Sequence, residues 1–86
     1  MFIIVKTNGQ GVNLTNFDTW VVQQVSERDT YAIFAERYTS YLKPENNMKY
    51  VFENLGEFDS KAKAESELKA INDSILAGQK GYRIKP

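Results

Sequence analysis

The 86-residue chain contains no cysteine and no histidine. Without them it has no disulfide staple, no thiolate zinc or iron–sulfur centre, no cysteine nucleophile, no Ser-His-Asp triad and no imidazole base. The expectation is a protein that is not an enzyme, carries no cofactor or metal, and draws its stability from its core alone. Charge of one sign is missing as well, since eleven Lys and Arg balance eleven Asp and Glu. A neutral chain sets up no field to gather a polyanion, which argues against non-specific coating of DNA. Long hydrophobic runs are also lacking: the longest, Met1–Val5, has no basic residues before it and is too short for a signal peptide or a membrane span. A cytoplasmic protein with no membrane partner is predicted. The carboxylates are scattered without calcium-loop spacing, and Gly9-x-Gly11 lacks the strand-to-helix setting of a nucleotide fingerprint.

What the chain does have is apolar material, 42% hydrophobic and 13% aromatic residues, enough to order one domain over residues 1–86. Its strongest period lies in Ser60–Gly78. Ala64, Leu68, Ile71 and Ile75 recur at helical spacing and form one stripe, which Leu76 widens. Asp59 or Ser60 caps the start, Gly78 supplies the left-handed residue at the end, and Glu65 and Lys69 form an i, i+4 pair. The outer face, Lys61, Lys63, Glu65, Glu67, Lys69 and Asp73, mixes signs as a solvated surface does.

The preceding sequence is extended in character. Phe2–Lys6 is a β-branched strand, and Asn8-Gly9 predicts a tight I′ turn returning Gly11–Leu14 antiparallel to it. Asn13, Thr15, Asn16 and Asp18 favour a bend. Thr19–Ser26 places Trp20 and Val22 on one face and Val21 and Val25 on the other, which predicts a central strand. Glu27-Arg28-Asp29 connects it to Thr30–Tyr38. Residues 31 to 42 match both templates, because Tyr31, Phe34 or Ala35, Tyr38 and Tyr41 or Leu42 also fit a helix stripe; the β-formers and the short connector favour a hairpin. Lys43–Asn47 is a loop, Met48–Glu53 a strand, and Leu55–Phe58 the lead off the sheet. Tyr82 and Ile84 suit a short last strand or a tail beside the helix. The predicted fold is α+β: one antiparallel hairpin-built sheet of four to five strands, a C-terminal amphipathic helix on a face, and a terminal strand after it. Which face the helix covers is left open by the sequence.

With its Asn8-Gly9 turn, Val12-Asn13-Leu14 return and closing helix, glycine and strand over Leu55–Ile84, the chain resembles a group of short uncharacterised proteins of Gram-positive bacteria and their prophages. The resemblance implies a small accessory protein of a phage or mobile element that binds and modulates a host factor, and it brings no activity, cofactor or catalytic residue.

For recognition the residues single out the aromatic and basic set between Tyr31 and Phe52. Arg37, Tyr38, Tyr41, Lys43, Lys49 and Tyr50 are the candidate partner-binding residues. A tyrosine with one exposed edge contributes contact area at small entropic cost, so these residues suit a protein interface. The function expected is a non-enzymatic protein-binding or regulatory module acting through tyrosine-bearing sheet edges, toward another protein or as a homodimer. The alternative is single-stranded nucleic acid, chiefly RNA, with bases stacked on Tyr31, Phe34, Tyr38, Tyr41, Tyr50 and Phe52 and phosphates met by Arg37, Lys43 and Lys49. Glu36, Glu45 and Glu53 dilute that charge.

Overall fold

A left-handed glycine sets the first hairpin. In the computed structural model, which describes residues 1–39 and 49–86, strand β1 (Ile3–Val5) runs into β2 (Gly11–Asn13) through Thr7–Gln10. The Lys6 carbonyl accepts from the Gly9 amide at 2.9 Å, the Lys6 amide donates to the Gln10 carbonyl at 2.8 Å, and Gly9 has φ of 88°. Asn8 does not take a positive φ, so the predicted I′ turn is replaced by a turn that ends on a glycine bulge. Asn13 then accepts from the Thr15 amide at 3.1 Å and caps a short 3-10 turn, Leu14–Asn16. That turn carries the chain out of the first hairpin, so β3 (Thr19–Val25) starts a separate sheet.

Strands β3, β4 (Thr30–Thr39) and β5 (Lys49–Phe58) form an antiparallel meander in that order. The α1 helix (Lys61–Leu76) and β6 (Gly81–Arg83) follow, and β6 joins β1 in parallel to give the order β2-β1-β6. The α+β class, the closing helix and the strand after it agree with expectation. The single sheet of four to five strands is divided into two of three, because β6 rather than the meander occupies the second edge of β1. Residues 30–39 are strand, paired with β3 over residues 30–36 and with β5 over residues 31–39. The loop expected at Lys43–Asn47 lies outside the described residues.

Two further expectations change. β3 is an edge strand and β4 the central one, where Ala32, Ile33 and Ala35 are fully buried. Leu55–Phe58 does not leave the sheet: β5 continues to Phe58 past a register shift opposite Ile33 and Phe34 that makes room for Leu55.

The helix and the β2-β1-β6 sheet share one face of the meander. Ile33, Ala35 and Leu55 from the meander meet Ile71 from α1 and Phe2, Ile4, Val12, Leu14 and Ile84 from the other sheet. The Trp20 indole N–H donates to Asn72 Oδ1 at 2.8 Å, tying β3 to the helix, and Lys6 Nζ lies 3.0 Å from Glu53, bridging the two sheets. Ser60 caps α1 by accepting from the Lys63 amide at 3.2 Å. At the other end the Gly78 amide reaches the Ile75 carbonyl and the Gln79 amide the Ser74 carbonyl, both at 3.0 Å, with Gly78 at φ 76°. Ala64, Leu68, Ile71 and Ile75 face the core as their period predicts, but Leu76 is 85% exposed. Lys69 pairs with Asp73 at 2.7 Å rather than with Glu65. Among the described residues no helix is long and apolar enough to cross a membrane.

Candidate protein-contact surface

Directly opposed residues of an antiparallel ladder share a face, so the register assigns each side chain of the meander. The inner face takes Trp20 and Val22 of β3 and Ile33 and Ala35 of β4. The outer face takes Val21 opposite Phe34, Phe34 opposite Asn54, Glu36 opposite Phe52, and Val25 opposite Thr30. Val21, Val25 and Phe34 are partly exposed, Phe52 is 56% exposed, and none of them belongs to the core cluster. The result is an apolar strip along the sheet with a polar border. On that border Arg28 Nη1 and Thr30 Oγ1 both donate to the Glu57 carboxylate, at 3.2 and 3.0 Å, and Asn54 Nδ2 donates to Glu57 at 3.3 Å.

The candidates from sequence are distributed along the same two strands. Arg37 is exposed on β4, Tyr38 and Tyr50 are ladder partners, and Lys49 is paired with Thr39. Tyr41 and Lys43 lie outside the described residues. Strand alternation divides the aromatic and basic set: Tyr31 and Arg37 fall on the inner-face side, Phe34 and Phe52 on the outer. A run of bases stacked on one face would therefore meet Phe34 and Phe52 without Tyr31 and Arg37.

Two other features compete for attention and carry less chemistry. Phe2, Leu14, Phe17, Trp20 and Ile75 line an apolar hollow of about 190 Å³ rimmed by Thr15 and Asp18, below the usual few hundred Å³ of a small-molecule site. The second is Glu67, expected on the solvated face of the helix but only 7% exposed. Its carboxylate accepts from the Lys85 amide at 3.0 Å and so fastens the chain after β6 to the helix. The Tyr82 hydroxyl is buried beside it, with no hydrogen bond of normal geometry among the described residues. Burial first, and then the Glu67 carboxylate, push this tyrosine from 10.0 up to about 12. A phenol that holds its proton so firmly is no base at neutral pH, and the cluster is a fastening between α1 and β6. Glu67 lies three residues after Ala64 and four before Ile71, so helical arithmetic puts it on the buried stripe.

The fastening has a pH signature. An unfolded tyrosine ionises near its ordinary 10.0, whereas Tyr82 in the fold holds its proton to about 12. Between those values the folded state keeps a proton that the unfolded state has lost. The contribution is therefore complete below pH 10 and disappears as the pH climbs through the folded value. Denaturant unfolding at about pH 8 and about pH 11 is expected to show a smaller alkaline loss for Tyr82→Phe than for the wild type. At neutral pH the substitution is expected to be close to neutral, since it removes a buried hydroxyl with no well-formed hydrogen bond.

No protein-family model, curated protein or solved structure matches the chain.

Proposed function

We propose that this chain is a non-enzymatic protein-binding module whose contact surface is the outer face of the β3-β4-β5 meander. One observation carries the proposal: the inner face is filled by the helix and the second sheet, while the outer face displays Val21, Phe34 and Phe52 within a polar border. An apolar centre with a hydrogen-bonding rim is the general layout of a protein interface. Tyr38 and Tyr50, partners in the β4-β5 ladder, extend the same two strands beyond Phe34 and Phe52. The absence of His and Cys supports a binding rather than a catalytic role. A regulatory part in a phage or mobile element, directed at a host factor, belongs to the same proposal and rests on the resemblance described above.

The test is affinity capture from source-cell lysate with wild-type chain, with Phe34→Thr/Phe52→Thr, and with Glu65→Lys on the helix's exposed face as control. Threonine keeps the strand preference while removing the rings, so the double variant is expected to retain its circular dichroism. A stoichiometric partner held by wild type and control is expected to bind the double variant roughly a thousandfold more weakly, at ~2 kcal/mol for each of the two interface aromatics truncated. A partner indifferent to both rings, or none at all, would refute the assignment.

A further inference from the structure

On the outer face of the meander one carboxylate stands among the rings. In the β4-β5 ladder Phe34 is opposite Asn54 and Glu36 opposite Phe52, so the four residues mark the corners of one patch, with the two rings on a diagonal and Glu36 beside both. Diagonal neighbours lie ~7–8 Å apart, a span that one long side chain laid across them can bridge. Glu36 is half-buried, and among the described residues its carboxylate takes one long hydrogen bond, 3.5 Å from the Thr19 hydroxyl. The other carboxylate of this face is already compensated, since Glu57 accepts from Arg28, Thr30 and Asn54. The nearby cations are placed elsewhere: Arg28 is held at Glu57, Arg37 falls on the inner-face side of β4, and Lys6 is paired with Glu53.

That placement constrains whatever covers the strip. A partner seated on both rings also covers Glu36, and a carboxylate taken out of water is strongly unfavourable unless a cation meets it. A phosphate would be repelled at this position, so the backbone of a nucleic acid does not satisfy it. Arginine does. Its planar guanidinium lies against an aromatic ring while offering a carboxylate two parallel N–H donors, which the compact ammonium of lysine does not provide. We propose that the partner of this face is a protein segment presenting an arginine between apolar residues, with the guanidinium laid on Phe34 and Phe52 and paired to the Glu36 carboxylate. The proposal rests on the contact-surface reading and gives it a specificity: the rings attract any apolar segment, and Glu36 penalises one that brings an acid or no cation to this corner.

The probe is a display library of random short peptides selected on the immobilised wild-type chain, with the selected peptides synthesised and their affinities measured by fluorescence anisotropy. They are expected to share an arginine flanked by apolar residues and to bind wild type and Glu65→Lys alike. Glu36→Gln, which keeps the size of the side chain and removes its charge, is expected to bind them about tenfold or more weakly. Glu36→Lys is expected to lose them further and to recover affinity for the same peptide with its arginine replaced by glutamate, a charge exchange that a merely structural role for Glu36 would not produce. Circular dichroism checks that each variant keeps its fold. Peptides that need Phe34 and Phe52 but carry no arginine, or that bind Glu36→Gln as tightly as wild type, would overturn this proposal and leave the contact surface standing. Peptides indifferent to Phe34→Thr/Phe52→Thr, or no binding peptide at all, would overturn both.

Discussion

Replacing Ile71 with alanine is expected to lower the unfolding free energy by about 4 kcal/mol and to leave much of the chain unfolded at ambient temperature. Ile71 is fully buried where the helix meets both sheets, in one cluster with Ile33, Ala35 and Leu55 of the meander and Ile4 and Ile84 of the smaller sheet. The lost methylenes forgo transfer free energy, and the void they leave cannot close readily because three separate elements border it. The loss sits near the upper end of ~2–5 kcal/mol for such truncations. A domain of this length has a small margin, since little of its surface can be removed from water and it has no disulfide to restrict the unfolded chain. Ile75→Ala, at a partly exposed position one turn on, is expected to cost less than half as much. Thermal unfolding followed by circular dichroism compares the two directly. A melting temperature for Ile71→Ala within a few degrees of wild type would mean that α1 is not the element on which the core closes.

How far the fold could be read from sequence depends on whether its cause is local. The helix is local: a period of 3.6 residues, a serine cap and a closing glycine are all written within Ser60–Gly78, and the structure places them there. The burial of Glu67 follows from the same period; a charged side chain is easily assigned to water by its type, and only its partner, the Lys85 amide far along the chain, explains why it can lie inside. β4 was ambiguous because tyrosine, phenylalanine and alanine satisfy both templates. Its state is decided by ladders to strands on either side. The edge position of β3 was hidden for a related reason. Valines on both faces suggest a strand covered on both faces, and no pattern within seven residues reports whether a neighbour will bond along its rim. The division into two sheets is the least local feature of all, since it requires the last strand to join the first.

The contact surface was legible in part. The alternation of Val21 with Val22 marks two faces, but only the register brings Val21 to Phe34 and Glu36 to Phe52. Tyr38 and Tyr50 stand far apart in the sequence, and their pairing in one ladder is a consequence of that register.

The join between first and last strands supplies the other large effect. Gly81→Ala is expected to destabilise the protein by about 3 kcal/mol, through contact with backbone rather than through altered chain flexibility. A β-carbon at Gly81 would lie 2.6 Å from the Ile3 carbonyl oxygen, with further Ile3 backbone atoms at 3.5 and 3.6 Å. A side chain could rotate away from such a contact, but a carbonyl already held in a sheet cannot. β6 must instead move off β1, and the parallel pairs Ile3 with Gly81, Ile4 with Tyr82 and Val5 with Arg83 separate. Behind them go the 3.0 Å bond from the Ile3 amide to the Lys80 carbonyl, the 2.9 Å bond from the Ile84 amide to the Val5 carbonyl, and the near-complete burial of Ile84. Gly9→Ala is the control. Its β-carbon meets nothing within 4 Å, so only the cost of φ at 88° remains, about 1–2 kcal/mol and confined to the first turn. Amide exchange tells the mechanisms apart: Gly81→Ala is expected to release the Ile3 and Ile84 amides together while amides within β4 stay protected, and Gly9→Ala to release neither. Because the meander has its own ladders and its own contact with α1, detachment of β6 should weaken the core without erasing the β3-β4-β5 sheet. If the Ile3 and Ile84 amides in Gly81→Ala stay as protected as in the wild type, the first and last strands are not held at the close approach that this glycine permits.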